Sequence, residues 1–312
     1  EYEARRELVN PADDAAIAAQ WIENQSFNSD TYEEIFSLPA NSAGHSRYYA
    51  TTFGDVRLVV LYATTIWRSP ALTDDTRGRF RERAADLDTP ERWGHGHHIF
   101  EPIEKGSEQY QWLEGELASP EFHQARYKIV MLHHPMHSLG DNIMPPYTDP
   151  VRAIARNSDG SIKAIRYDYP KAANYLTRDV EPLLEGAGVD LVYFGHSHLW
   201  NRFVSLAGTH YLESSNVGNT YGAYTGDTKR QVPSDRPDLY AATDDPNGLT
   251  PIVPTERPLA DDAGAKLPYL TSNTVTAFSI FNSESGIVSS YYFDTERPDS
   301  DVVEFDRFSL NP

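Results

Sequence analysis

The clearest feature of the hydrophobic pattern is a pair of continuous apolar runs, Ile129 to Leu132 and Leu191 to Phe194. Neither run alternates with polar residues, so each predicts a strand that is buried on both faces, as in a parallel or mixed sheet. An amphipathic helix from Ser107 to Leu117, with the serine as its cap, precedes the first run. A second helix, from about Lys171 to Gly186, precedes the second run. This repeated helix-then-strand order indicates an α/β fold.

The rest of the pattern predicts shorter elements. Helices are expected over 11–25 and from Thr31 to Leu38, and strands over Ser46 to Ala50, Val56 to Thr64, Val151 to Ala155, Ile162 to Tyr167, Thr274 to Phe281, Val288 to Phe293 and Val302 to Phe308. The turn residues Asn157-Ser158-Asp159-Gly160 predict that two of these strands form a β-hairpin. Polar segments near 66–106, 139–170 and 224–268 are expected to be insertions in a single domain that spans residues 1–312.

Charge and composition narrow the range of partners. With 46 acidic against 27 basic residues, the net charge of −19 argues against nucleic acid and against an anionic membrane surface. A small phosphorylated substrate stays compatible, because bound metal ions reverse the field locally. The absence of cysteine excludes disulfides, thiolate metal sites and cysteine nucleophiles. No apolar run approaches the roughly 18 residues of a membrane span.

Both apolar runs end on histidines. His133 follows the first run, and His196 and His198 follow the second, beyond Gly195, which permits a tight turn. The carboxyl ends of strands are where open α/β sheets build their ligand sites. A lone Gly-His-Ser-His segment is more often a solvated turn, but the matching His-x-Pro upstream favours a site. We therefore predict that His133, His196 and His198 are metal ligands; imidazole suits Zn, Fe, Mn or Ni.

The two histidine stretches resemble the last two motifs of the calcineurin-like metallophosphoesterases, most closely their purple acid phosphatase branch. In that family one strand ends in His-x-Pro, as at His133, and a later strand ends in Gly-His-x-His, as at Gly195 to His198. The branch continues with an aromatic residue and an arginine, which Trp200 and Arg202 resemble. The resemblance extends from about Tyr32 to the end of the chain.

The resemblance implies a two-sheet sandwich flanked by helices, of which this chain supplies the carboxyl-terminal half. It implies hydrolysis of phosphomonoesters or phosphodiesters by a water that two divalent or trivalent metal ions (Fe, Mn or Zn) activate. His133 and His196 would bind one metal and His198 the other. His134 is expected to be packed or to support a ligand. His137 is a candidate for leaving-group protonation or phosphate binding, and otherwise a loop histidine.

Two further candidates have open alternatives. Arg202 is expected either to steady the substrate or to pair with a carboxylate. The Gly94-His95-Gly96-His97-His98 cluster follows no apolar strand, so it is expected to be a solvated loop, with an active-site rim as the alternative.

The first three family motifs, Asp-x-His, Gly-Asp-x-x-Asp and Gly-Asn-His-Glu or Asp, are absent from the sequence. We therefore expect an amino-terminal fragment of the same protein to supply the remaining ligands. Two other functions stay open: a degenerate, non-catalytic phosphoesterase-like binding module, and a mononuclear three-histidine hydrolase. The start at Glu1, the absence of cysteine and the acidity favour a secreted or periplasmic protein.

Overall fold

The computed structural model describes most of the chain. The described residues are 6–7, 9–25, 30–42, 44–63, 65–66, 72–76, 78–93, 98–99, 101–215, 217–218 and 222–310. The α-helices within them are α1 (Ala15–Gln25), α2 (Asp30–Ile35), α3 (Glu108–Leu117), α4 (Pro120–Gln124) and α5 (Glu181–Gly186). No helix in these ranges combines the length and the apolar character that crossing a membrane requires.

The strands divide among one large sheet and several smaller ones. In chain order they are β1 (Tyr49–Phe53), β2 (Val56–Val60), β3 (Thr65–Ile66), β4 (His98–Ile99), β5 (Tyr127–Met131), β6 (Val151–Arg156), β7 (Ile162–Asp168), β8 (Leu191–Phe194), β9 (Trp200–Val204), β10 (His210–Ser214), β11 (Leu259–Ala260), β12 (Lys266–Leu267), β13 (Tyr269–Leu270), β14 (Val275–Asn282), β15 (Ile287–Asp294) and β16 (Val303–Ser309).

The large sheet has seven strands in the order β1-β2-β5-β8-β10-β9-β13. Its four central strands, β2, β5, β8 and β10, are parallel neighbours, and antiparallel strands complete both edges. The two apolar runs form β5 and β8 at the centre of this mixed sheet, which confirms the α/β class. A three-stranded sheet, β14-β15-β16, is formed by the closing strands that the sequence predicted.

The two faces of the large sheet contact different layers. Ile129 and Leu191 pack in one cluster with Phe305 and other residues of the three-stranded sheet. Their neighbours Val130 and Val192 point to the opposite face and pack with residues of the helices. Residues Ile129 and Val130, and likewise Leu191 and Val192, are thus buried on opposite faces as predicted, whereas Met131 at the carboxyl end of β5 is 36% exposed. Each fully buried aliphatic side chain of this kind contributes about 1.5–3 kcal/mol to folding.

Two local predictions are also confirmed. Helix α3 begins where Ser107 Oγ accepts a hydrogen bond from the Tyr110 N–H at 3.2 Å, and Leu113 and Leu117 on its inner face are buried. Strands β6 and β7 form the expected antiparallel hairpin. This hairpin packs through Ile165 and Tyr167 in a third apolar cluster.

The helix predicted over 171–186 is broken into pieces. Its first part is a 3₁₀ turn at Lys171–Ala173, followed by a π turn at Leu176–Val180 and then α5. The interruption lies at Asn174, whose backbone is extended with a ψ of 110°. Pro182, in the first turn of α5, has no N–H for the regular bond to the preceding turn, and that turn is a π turn.

Candidate metal centre

The two histidine loops begin at the same edge of the large sheet. Strands β5 and β8 are adjacent and parallel, with Met131 opposite Tyr193. His133 and His196 each follow a few residues later, so both lie at the carboxyl ends of neighbouring strands. The Gly195 N–H donates to the His133 carbonyl oxygen at 3.2 Å and ties the two loops together. Two of the three predicted ligands thus begin at one edge of the sheet, and their binding of a metal stays a prediction.

The side chains of these histidines meet. His196 Nδ1 lies 2.9 Å from His133 Nε2. Ligand nitrogens of His133, His134 and His196 all lie within 4.8 Å of one another. Two loops that are 63 residues apart along the chain therefore bring three imidazoles to one point.

The second loop has an unusual backbone conformation. His196 and His198 have φ angles of 80° and 56°, the left-handed region that non-glycine residues rarely adopt. Such residues cost of order 1–3 kcal/mol each and persist where their surroundings fix them. Here the Ser197 N–H donates to Glu213 Oε1 at 2.7 Å, and Asn142 Nδ2 donates to the His196 carbonyl oxygen at 3.0 Å.

The electrostatics of the cluster favour neutral imidazoles. Burial, and next the His198 ring, lower the pKa of His133. Burial lowers the pKa of His196 to about 3, with further contributions from His133, Arg79 and His198. A neutral imidazole keeps a nitrogen lone pair that a metal ion can accept.

The compact group contains His134, which was not predicted to be a ligand. The role of His198 as a ligand stays a prediction; its ring lowers the pKa values of both His133 and His196. His134 is buried, and its Nδ1 lies 3.0 Å from the Ala63 carbonyl oxygen. A carbonyl only accepts, so Nδ1 carries the proton and Nε2 keeps its lone pair. Metal-binding histidines typically have this kind of backbone support.

This donor set fits one metal ion. Three imidazole nitrogens fill three positions of a tetrahedral site, as in mononuclear zinc enzymes. Two cations about 3.5–4 Å apart need bridging or additional acidic ligands. Among the described residues, the group that is close enough contains no carboxylate. A second metal would therefore require ligands from elsewhere.

His137, a candidate for proton transfer, lies in a buried ionic cluster. Its Nδ1 is 2.8 Å from Asp245 Oδ2 and its Nε2 is 3.1 Å from Glu181 Oε1. The side chain is 1% exposed. Burial lowers its pKa, but the two carboxylates outweigh burial and raise the pKa to about 9. Both ring nitrogens are thus engaged, and the catalytic role of His137 stays a prediction.

We expect the stability of the fold to fall in alkaline solution because of His137. Its pKa is about 9 in the folded protein and 6.5 for an unperturbed imidazole, so its stabilising contribution is fully present below pH 6.5 and is lost as pH rises to about 9. This shift corresponds to about 3 kcal/mol of unfolding free energy. Urea unfolding of the wild type and of His137→Asn at several pH values measures the difference. An equally steep fall in both proteins between pH 6.5 and 9 would show that His137 is not its source.

Arg202, the other catalytic candidate, pairs with a carboxylate. Its Nε and Nη2 donate to Asp306 Oδ2 and Oδ1 at 2.8 and 3.0 Å, and the guanidinium lies 4.4 Å from the centre of the Phe308 ring. Arg202 therefore pairs with a carboxylate, which is one of the two alternatives expected for it. Its contact with substrate, the other alternative, stays a prediction. In the Gly94–His98 cluster, residues 94–97 lie outside the described residues, so the two alternatives for that cluster also stay predictions.

No model of a known protein family matches the sequence, and no curated protein matches it. Solved structures do show similarity. A purple acid phosphatase, PPD1, from yellow lupin (Lupinus luteus) seeds is 15% identical, with a TM-score of 0.38, over 89% of this chain and 35% of that one. PhoD is 14% identical, with a TM-score of 0.29, over 92% of this chain and 48% of that one.

A third similar structure is GAP50, the anchor in the inner membrane complex of Plasmodium, at 12% identity and a TM-score of 0.28 over 85% of this chain and 53% of that one. This chain thus spans between 35% and 53% of the length of the three. All three TM-scores are below 0.5, so the function proposed below depends on the residues of this chain.

Proposed function

We propose that this chain forms part of a metal-dependent hydrolase acting on phosphate esters of small molecules. The observation that supports it is the meeting of His133 and His196, whose ring nitrogens are 2.9 Å apart at the carboxyl ends of two adjacent parallel strands. A shared cation would replace the mutual hydrogen bond after the two rings move slightly apart, because two nitrogens about 2.0–2.1 Å from one tetrahedral metal ion lie farther apart than 2.9 Å. The histidine motifs around them supply the phosphoesterase assignment.

In this proposal the residues of the chain hold and orient the cation. His133 and His196 each offer a ring nitrogen, and His198 or His134 offers a third. Metal ions bound there would supply an activated water and neutralise charge on the phosphoryl oxygens. The strained loop at His196 and His198 fixes the direction of its imidazoles before a cation binds, which limits the cost of ordering them. The catalytic role of His137 and the substrate contact of Arg202 stay predictions, since the observed polar partners of both side chains are carboxylates.

We also propose that an amino-terminal fragment of the same protein completes the site. The face of the large sheet beside His133 supports this: Met131 is 36% exposed, whereas Ile129, two residues earlier on the same face, is 9% exposed. Val60 and Tyr193 flank Met131 and line a groove that reaches His133. Exposed apolar surface next to a polar site is typical of an interaction surface. A fragment that packs here would bring its carboxylates to the sheet edge where a second cation needs them.

A mononuclear three-histidine hydrolase is the second candidate. The compact group of His133, His134 and His196 favours it, because that group offers three nitrogens and no carboxylate. Such a site would bind one cation without any additional polypeptide.

Metal content and phosphatase activity test these proposals together. The chain is stripped of metal, reconstituted with zinc or manganese, and assayed with p-nitrophenyl phosphate and bis-p-nitrophenyl phosphate; the same is done with a longer polypeptide that includes the sequence encoded upstream of Glu1. We expect one cation and little hydrolysis for the chain, and two cations with hydrolysis for the longer polypeptide. Hydrolysis by the chain alone would contradict the need for a fragment. No metal in either would favour a non-catalytic binding module and contradict the proposed function.

A further inference from the structure

A buried polar cluster lies beneath the two histidine loops. We call it the loop clamp, and it consists of Ser138, Ser197, Asn201 and Glu213. All four side chains are buried, and Asn201 and Glu213 are fully buried. Ser138 belongs to the loop that carries His133 and His134, whereas Ser197 lies between His196 and His198. Asn201 and Glu213 are directly opposite each other on β9 and β10.

Glu213 is at the centre of the loop clamp. Its Oε1 accepts from the Ser197 N–H at 2.7 Å, and its Oε2 accepts from Ser138 Oγ at 2.8 Å and from Asn201 Nδ2 at 3.1 Å. In the described part of the chain no lysine, arginine or histidine forms an ion pair with it. Burial raises the pKa of Glu213 to about 8, because the hydrogen bonds from Ser138, Ser197 and Asn201 only partly offset the cost of losing hydration. A leucine or methionine here would avoid that cost but would leave the loop donors unsatisfied.

The contacts of the loop clamp connect the two loops to each other. Ser138 Oγ lies 3.2 Å from Ser197 Oγ, and the Leu139 N–H donates to Asn201 Oδ1 at 2.8 Å. The backbones also approach closely, since a Cβ added to Gly140 would lie 2.3 Å from the Ser197 Cβ. Gly140 has a negative φ of −75°, so space rather than backbone conformation requires glycine there. The separation of the two loops is thus set by direct contacts.

We propose that Glu213 is a positioning residue: it holds the two histidine loops at the separation that lets His133 and His196 bind the same cation. This inference deepens the proposed function and rests on it for the cation. Glu213 acts through Ser197, whose flanking histidines have the strained backbone, and through Ser138 at the end of the other loop.

The test compares two isosteric substitutions, Glu213→Gln and the control Asp190→Asn. The Asp190 carboxylate also accepts a backbone N–H, from Lys128 at 2.7 Å, but it precedes β8 and so lies at the opposite end of that strand from His196. We expect Glu213→Gln to weaken cobalt(II) binding by about 10–100-fold, as loss of a ligand-supporting group does. The visible spectrum of the remaining cobalt complex should change, and Asp190→Asn should leave both affinity and spectrum unchanged. Equal affinity in Glu213→Gln and wild type would overturn the proposal.

A measurement on the metal-free protein tests the positioning role of Glu213 independently of the proposed function. In long-range ¹H–¹⁵N spectra of the metal-free wild type, the His133–His196 hydrogen bond shifts the ¹⁵N signals of the two ring nitrogens away from those of free imidazole. We expect Glu213→Gln to move these signals toward those of free imidazole, and unchanged signals would overturn the positioning role even if no metal binds. Gly140→Ala should have the same effect through the Ser197 contact, whereas Gly115→Ala, with nothing within 4 Å of the added Cβ, should not. Wild-type protein that binds no cobalt would contradict the proposed function alone.

Discussion

Replacing His196 with alanine is expected to weaken zinc binding by the chain about 100-fold. The ring of His196 lies 2.9 Å from that of His133 and belongs to the compact three-histidine group. Structural zinc sites bind with roughly 10–16 kcal/mol, shared among about four ligands, so one ligand accounts for roughly 3 kcal/mol. A loss of that size corresponds to about two powers of ten in affinity. Isothermal titration calorimetry of the wild type and the variant at one pH measures it.

The matched control is His210→Ala. His210 is also a partly buried histidine of low pKa, but it stacks on Phe308 of the three-stranded sheet rather than joining the cluster. We expect this variant to bind zinc as the wild type does. If His196→Ala bound zinc with wild-type affinity, or if both variants lost it equally, His196 would not be a ligand.

The same titration identifies the third ligand. A mononuclear site built from the compact group predicts that His134→Ala weakens binding as much as His196→Ala does, whereas His198→Ala has little effect. The arrangement that the family resemblance implies predicts a large effect of His198→Ala and a small effect of His134→Ala.

Replacing Asp306 with alanine is expected to lower the free energy of unfolding by about 3–5 kcal/mol. Asp306 on β16 pairs with Arg202 on β9 through two hydrogen bonds, and the side chains are 0% and 3% exposed. The Thr255 N–H also donates to Asp306 Oδ1, at 3.0 Å. Removing one partner of a buried ion pair leaves the other charge without compensation in a medium that solvates it poorly. The pair joins the two sheets, so losing the ion pair should affect the packing of the sheets directly. Urea unfolding of the wild type and of Asp306→Ala measures the difference in the free energy of unfolding.

The control for this prediction is Glu304→Ala. Glu304 pairs with Arg307 at 2.8 Å on the same strand, but these side chains are 25% and 50% exposed, so solvent replaces much of the lost interaction. We expect a much smaller change in stability, and we expect zinc affinity to be unchanged in both variants. A small change for Asp306→Ala would mean that the Arg202 guanidinium finds another partner or reaches water.

The elements that were predictable from the sequence are those whose signal is local. The apolar runs of β5 and β8, the serine cap of α3 and the Asn-Ser-Asp-Gly hairpin each depend on a few consecutive residues. The meeting of His133 with His196 was also predictable, because both follow buried strands and the carboxyl ends of parallel strands share one edge.

The elements that were missed depend on distant partners. Strand β9 has asparagine and arginine at buried positions, which hides its apolar pattern; their partners are Glu213 and Asp306. The place of His134 in the cluster depends on the Ala63 carbonyl, 71 residues away in the sequence. Glu213 itself has no neighbouring motif, because its partners come from three separate segments. Only the folded arrangement reveals such residues.

The most direct test of the central claim is anomalous diffraction from crystals of this chain soaked in zinc. The account predicts an anomalous peak at the carboxyl ends of β5 and β8, with one ring nitrogen of His133 and one of His196 each about 2.0–2.1 Å away. Absence of a peak there, with the two rings still hydrogen-bonded to each other in zinc-soaked crystals, would contradict it.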